Sequence, residues 1–221
     1  MPEIIEGPKL AALSCGKPTY LVVMLHGEGE KGQDMADLAL GWAPGMIKAD
    51  FIALEAPFRD AEGRAVWRDP ARPGDSIAEA ATALDAYLDA QLARTRLPAS
   101  HVALVGFGEG AELALDVGLR RPEPFAALVG FSGAYHAAGL PVGAFSAAPT
   151  LLVHGEADGE APYSGMLALK EALKSCGAPV WSFKRPGLGH EIDGEGADAA
   201  GAFLARHVKH QNPQHQEADH D

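Results

Sequence analysis

Six apolar runs, separated by amphipathic or polar stretches, constrain the fold of this chain more than any other feature. Four of the runs are nearly continuous in apolar residues, which is typical of strands buried on both faces of a parallel sheet. We therefore predict strands at 19–27, 50–57, 101–108, 125–133, 150–158 and 180–187.

Helical segments are predicted between these strands. The longest, 76–96, begins with Ser76 and Glu79 in the spacing of a capping box. Its apolar residues recur every three or four positions and so share one face: Ile77, Ala81, Leu84, Leu88 and Leu92. Further helices are predicted at 111–121, 164–177 and 196–210. The alternation predicts an α/β fold with a mostly parallel central sheet and helices on both faces. In such sheets, functional residues gather at the carboxyl ends of the strands.

The length of 221 residues, 47% of them hydrophobic, suits one domain with a sizeable core. We predict a single domain over residues 1–208. Residues 209–221 are polar and lack periodicity, so we expect a disordered tail.

The net charge of −12 disfavours binding to nucleic acid or to an anionic membrane surface. No apolar run is long enough for a membrane helix, and the first residues do not have the pattern of a secretory signal. Cys15 and Cys176 have no metal-binding spacing, so we expect free thiols in a cytoplasmic protein without a metal site.

The segment "GFGEG" at 106–110 follows the third predicted strand and precedes a helix. This is the context of the nucleophile elbow, G-x-S-x-G, on which serine hydrolases carry the attacking serine. Gly106 and Gly110 occupy the glycine positions, but the position of the serine is occupied by Gly108.

Two other strand ends supply the partners that an elbow needs. A His-Gly loop at 26–27 follows the first strand, and loops of this kind donate a backbone N–H to an oxyanion hole. Asp158 and His190 follow two later strands. The order nucleophile, acid, histidine is the chain order of α/β hydrolases.

These motifs, together with "FIALEAP", "GRAVW", "VGFSGA", "LLVHGEADGEAPY" and "PGLGHEI", resemble the carboxylesterase/phospholipase family, which includes acyl-protein thioesterases. The resemblance runs in order from about residue 20 to about residue 208. It implies the α/β-hydrolase fold, small to medium acyl esters or thioesters as substrates, no cofactor, and a monomer or homodimer.

Site residues follow from the same resemblance. It implies that Asp158 is the catalytic acid, that His190 is the catalytic histidine, and that the backbone N–H groups of Glu28 and Glu109 form the oxyanion hole. It also implies a substrate pocket with Trp67 and Leu188. The departure from the family pattern is Gly108 at the nucleophile position.

The side chains of Glu28 and Glu109 have two alternative placements. They either point to solvent or point inward, where they would oppose a developing negative charge and favour a cationic ligand. Glu112, one turn into the helix, adds to this acidity.

Three other polar residues at strand ends are predicted to be structural. Ser132 is not in a G-x-S-x-G context, so we do not expect it to replace the nucleophile. His26 and His154 are expected to be hydrogen-bonded scaffold residues and not metal ligands.

Two functional hypotheses remain open from the sequence. The first is an ester hydrolase of this family that retains Asp158 and His190 but lacks the elbow serine, with weak or absent turnover. A further possibility, slow at best, is that the Asp158–His190 dyad activates a water molecule directly on an ester. The second is a non-catalytic homologue that binds a small ligand or a protein partner in the former acyl pocket. Gly108 favours the second hypothesis, and the retained dyad favours the first.

Overall fold

The computed structural model describes residues 2–135 and 146–209. The described strands are β1 (Ile5–Leu10), β2 (Tyr20–Leu25), β3 (Ala49–Glu55), β4 (Phe58–Arg59), β5 (Ala65–Val66), β6 (Val102–Phe107), β7 (Ala127–Phe131), β8 (Thr150–Gly155) and β9 (Val180–Arg185). The described α-helices are α1 (Gly32–Trp42), α2 (Pro73–Thr95), α3 (Glu109–Arg120), α4 (Tyr163–Ser175) and α5 (Gly194–Lys209).

Seven of these strands form the central sheet in the order β1-β3-β2-β6-β7-β8-β9. All neighbouring pairs are parallel except β1 and β3, which are antiparallel. The six predicted strands therefore correspond to the six parallel ones. The sequence analysis did not identify β1, the antiparallel edge strand, and it did not identify helix α1.

Alternating side chains of the central strands divide the core into two layers, as the pleat of a strand requires. Leu21, Val23 and Leu25 of β2 face the layer that is covered by α2, α3 and α4. Val22 and Met24 face the opposite layer, which is covered by α1 and α5. Each large apolar side chain that is fully buried contributes about 1.5–3 kcal/mol relative to an exposed one, so the sheet is fixed from both faces.

The predicted start of the longest helix at Ser76 is wrong. Helix α2 begins at Pro73. Proline suits a first helical position because the backbone N–H that proline lacks would have no acceptor within the helix there. Ser76 is buried inside the helix, and its hydroxyl accepts a hydrogen bond from the N–H of Asp69 at 2.7 Å. Ser76 thus fixes the loop before the helix.

The ends of α3 and α4 agree with the sequence. Helix α3 ends at Arg120, before Pro122. Gly177 follows α4 with a φ of +75°, and its N–H donates to the carbonyl of Lys174, which is the glycine cap that the sequence predicts. The predicted tail lies outside the described residues from position 210 on, and the division into domain and tail stays a prediction.

Candidate active site

The predicted elbow lies between β6 and α3. Gly108 links the strand to the helix with φ 53° and ψ −123°, a conformation that side-chain-bearing residues rarely adopt. Its N–H donates to the carbonyl of Phe131 at the end of the neighbouring strand β7. The turn therefore has the sharp strand-to-helix geometry that exposes a nucleophile at the top of an α/β-hydrolase sheet.

The two flanking glycines of the motif are required by close backbone packing. A Cβ atom on Gly106 would lie 2.2 Å from the carbonyl oxygen of Gly110. A Cβ atom on Gly110 would lie 2.4 Å from the carbonyl oxygen of His26. The spacing of glycines therefore arises from the approach of α3 to its own strand and to β2.

Asp158 and His190, predicted from loops 32 residues apart, are in contact. Nδ1 of His190 lies 2.9 Å from Oδ2 of Asp158. Oδ1 of the same carboxylate accepts hydrogen bonds from the N–H groups of Glu160 and Ala161 at 2.9 and 2.8 Å. The Asp158 carboxylate thus fixes one ring nitrogen of His190 and leaves Nε2 for another partner.

Opposing effects set the pKa of Asp158. Burial raises it, but the hydrogen bonds from Ala161, His190 and Glu160 together outweigh burial and hold the pKa below its ordinary value. The carboxylate is therefore ionised at neutral pH and favours a proton on the facing Nδ1 of His190.

The free nitrogen of His190 faces the elbow. A Cβ atom on Gly108 would lie 3.4 Å from Nε2 of His190 and 3.5 Å from Cα of Gly27, which are ordinary contact distances. The ring of His190 packs on Phe107, with 4.8 Å between the ring centroids. The space beside Gly108 thus has room for a side-chain atom, and Nε2 of His190 lies next to that space.

Glu28, in the loop after β2, and Glu109, at the start of α3, line the same cleft as Gly108 and His190. Glu109 is the first residue of α3, where an N–H has no acceptor within the helix. The hydrogen bonds of the described residues leave both N–H groups without an acceptor in the protein. Two such groups beside a histidine can stabilise an oxyanion.

The side chains of Glu28 and Glu109 have different placements. Glu28 is exposed. The Glu109 carboxylate is mostly buried, forms an ion pair with Nε of Arg68 at 2.9 Å, and accepts the N–H of Trp67 at 3.2 Å. Burial raises the pKa of Glu109, and Arg68 opposes this rise only in part. Of the two placements that the sequence left open, the Glu28 side chain therefore has the solvent-exposed one and the Glu109 side chain the inward one.

Arg68 joins two carboxylates of helix α3. Its second terminal nitrogen lies 2.8 Å from Oε2 of Glu112, whose Oε1 accepts the N–H of Ala134. Sequence reasoning did not identify Arg68, although it directly follows the predicted Trp67. It also did not identify Glu30, whose Oε2 accepts the N–H of Gly27 at 3.0 Å.

The two predicted pocket residues do not line the described cleft. Trp67 is fully buried in the core, and its Nε1 donates to the carbonyl of His26 at 2.8 Å. Leu188 is half-buried, and its carbonyl accepts the N–H of Ala157. Trp67 contacts the backbone of His26 and Leu188 that of Ala157, so in this geometry both residues stabilise the loops around the cleft and do not line it.

His26 and His154 are buried and hydrogen-bonded to the backbone, as predicted. Nδ1 of His26 lies 2.6 Å from the carbonyl of Gly27, and Nε2 accepts the N–H of Ala56. Nε2 of His154 lies 2.8 Å from the carbonyl of Ala161. Within the described ranges, no group of three or more His, Cys, Asp or Glu residues has a geometry suited to a metal ion.

These loops enclose an open cleft of about 550 Å³ at the carboxyl edge of the sheet. Gly108, Ser132 and His190 line it, together with Phe107 and several carboxylates.

Across the described part of the chain, no helix is long and apolar enough to span a membrane.

Comparison with known proteins gives a family match over residues 12–208, to the phospholipase/carboxylesterase family. Esterase YpfH of Escherichia coli is 32% identical over 117 residues, which are 53% of this chain; the chain spans about half (48%) of the length of that relative.

Solved structures show the same fold. The crystal structure of esterase PE8 matches with a TM-score of 0.84 at 34% identity and covers 92% of this chain and 99% of its own. Acyl-protein thioesterase 2 of Zea mays matches with a TM-score of 0.71 at 24% identity and covers 91% and 99%. The predicted α/β-hydrolase fold is confirmed, and the chain belongs to the phospholipase/carboxylesterase family.

Proposed function

We propose that this chain is a carboxylic-ester hydrolase without a covalent nucleophile, which acts slowly on small to medium acyl esters or thioesters. The observation that carries the proposal is the position of His190. Its Nδ1 is held by Asp158 at 2.9 Å, and its Nε2 faces the space that a serine at position 108 would fill. We infer that a water molecule occupies this space, because an atom at the Cβ position of residue 108 would lie 3.4 Å from Nε2.

In the proposed reaction, Nε2 of His190 takes a proton from this water as the water oxygen attacks the ester carbonyl. The N–H groups of Glu28 and Glu109 bind the resulting oxyanion. Collapse of the tetrahedral intermediate expels the alcohol or thiol, which takes the proton back from Nε2. Asp158 stabilises the transient imidazolium and remains ionised throughout.

Covalent catalysis at the elbow is excluded because Gly108 has no hydroxyl group. In a triad protease, loss of the attacking serine lowers kcat about 10⁶-fold and leaves roughly 10³–10⁴-fold catalysis over water. Weak turnover is therefore the expectation for this chain. The family and the similarity to esterase PE8 support esters as the substrate class.

The test is hydrolysis of a short-chain aryl ester by the unmodified protein and by His190→Ala. We expect slow, saturable turnover without an initial burst, and a loss of about 10²-fold or more in His190→Ala, as is usual for a general base. His101→Ala is the matched control because His101 lies at the opposite end of β6.

Equal rates for the unmodified protein and His190→Ala would contradict the proposal. That result would support the second candidate, a non-catalytic homologue that binds a small ligand or a partner in the cleft, which the loss of the serine at Gly108 favours.

A further inference from the structure

The charged side chains that line the cleft are strongly unbalanced. They comprise one guanidinium and five carboxylates: Arg68, Glu28, Glu30, Glu109, Glu112 and Glu160. Arg68 already forms ion pairs with Glu109 and Glu112, with N···O distances of 2.9 and 2.8 Å. An anionic ligand would therefore meet no free cation among the described lining residues, whereas a cation would meet several carboxylates.

Part of this negative charge is poorly solvated. Burial raises the pKa of Glu30 above its ordinary value, against the hydrogen bond from Gly27. Burial raises the pKa of Glu109 as well, and nearby Glu28 adds to the rise. A cation that enters the cleft would supply the attraction that burial removes from these carboxylates.

Ser132 is a second feature of the cleft that points to a ligand. The residue is only 1% exposed and lines the cleft. Its hydroxyl forms no hydrogen bond with the described residues and is accessible from the cleft. A hydroxyl group both donates and accepts hydrogen bonds, so this one is available to a polar group of a ligand.

Ser132 is also next to the elbow. The N–H of Gly108 donates to the carbonyl of Phe131, the residue before Ser132, at 3.0 Å. Ser132 and Gly108 therefore follow the ends of the adjacent strands β7 and β6, and both line the same cleft as His190.

We propose that the cleft selects esters or thioesters that carry an ammonium group, with the cation among the cleft carboxylates and the ester polar atoms next to Ser132. The inference rests on the proposed function and names its substrate class. The volume of about 550 Å³ is within the usual range for small-molecule sites. Anionic acyl groups are excluded by like-charge repulsion.

Turnover without a nucleophile is expected to be slow, so binding can be measured with the ester itself. The probes are acetylcholine and 3,3-dimethylbutyl acetate, which have nearly the same shape and differ in the charged nitrogen. Calorimetric titration of the unmodified protein is expected to show about ten-fold tighter binding of acetylcholine at low ionic strength. The difference should shrink to about two-fold in about 0.5 M salt, because screening weakens exposed charge interactions.

Variants separate the contributions of the cleft. Glu160→Gln should weaken binding of acetylcholine about three-fold and leave binding of the neutral ester unchanged, since one exposed charge interaction is worth a factor of this order. Glu171→Gln, which removes the same charge from the exposed face of α4, is the control and should change neither. Ser132→Ala should weaken both esters equally, because the hydroxyl contacts the ester group.

Equal affinity for the two esters, or tighter binding of the neutral one, would overturn the inference. If the unmodified protein hydrolyses both esters at equal rates and His190→Ala abolishes this turnover, only the charge selectivity is wrong and the hydrolase assignment stands. If neither ester binds and the unmodified protein hydrolyses neither, the proposed function fails together with the inference.

Discussion

Among the single residues, Gly108 has the backbone conformation of the proposed elbow and carries no side chain. Its φ of 53° and ψ of −123° would cost a side-chain-bearing residue on the order of 1–3 kcal/mol. Glycine removes this cost. Gly108 therefore adopts this backbone conformation without the cost that another residue would have. Asp158 contacts Nδ1 of His190, and Nε2 of His190 faces Gly108.

The partly buried charge of Glu30 lowers the stability of the folded state. Burial raises its folded-state pKa above the ordinary value of 4.5. Ionised Glu30 therefore destabilises the folded state; this cost is absent well below pH 4.5 and appears as the pH rises through the folded-state pKa.

We predict that Glu30→Gln raises the free energy of unfolding at about pH 7, because glutamine removes the buried charge and can still accept the N–H of Gly27. The gain should vanish at about pH 3, well below the ordinary pKa, where Glu30 is protonated in both states. Urea unfolding at the two pH values measures it, with the exposed Glu171→Gln as control. A loss of stability at pH 7 would show that the carboxylate itself is needed by the loop.

The sequence alone predicts Asp158 and His190 because both follow buried strands in recognisable motifs, and the structure brings them together. It does not predict the placement of Trp67, since a motif marks a position in the chain but not the direction of a side chain. The link from Arg68 to Glu109 joins residues 41 positions apart, and no local pattern records such a contact.

At the scale of elements, the approach of α3 to β2 determines where the elbow stands. Gly110 lies on the first turn of α3, directly over the backbone carbonyls of Leu25 and His26. Backbone atoms cannot swing aside as a flexible side chain can. The position of the helix, and with it the N–H of Glu109, depends on this glycine.

We predict that Gly110→Ala lowers the free energy of unfolding by more than about 3 kcal/mol, because its Cβ would lie 2.4 and 2.5 Å from two backbone carbonyl oxygens. Gly41→Ala is the control: it lies in α1 with open space around it and should gain up to about 1 kcal/mol. Denaturant unfolding measures both. Stability of Gly110→Ala within about 0.5 kcal/mol of the unmodified protein would show that the contact is not required.

Strands and helices are predictable here to different degrees. The six parallel strands are found from continuous apolar runs because both of their faces are buried. Strand β1 is missed because none of its residues is buried and it pairs on one side only. Helix α2 is found, but its start is not, since Pro73 and the tertiary contact of Ser76 decide it.

At the scale of the whole molecule, the sheet order converts distant segments into one site. Strands β2, β6, β7, β8 and β9 are consecutive neighbours, and their carboxyl ends carry the oxyanion loop, Gly108, Ser132, Asp158 and the loop of His190. The sheet order follows from the family fold, which the motif order predicts. The cytoplasmic location, the lack of nucleic-acid binding, and the monomeric or homodimeric state stay predictions.

We propose that the turn at Gly108 is an intact nucleophile elbow that lacks only its serine. Reaction of Gly108→Ser with a fluorophosphonate probe tests this claim most directly, because the probe labels a serine only where a base and an oxyanion hole activate it. We predict no labelling of the unmodified protein, strong labelling of Gly108→Ser, and loss of labelling in the double variant Gly108→Ser, His190→Ala. A folded Gly108→Ser protein that stays unlabelled, or labelling of the unmodified protein, would contradict the account.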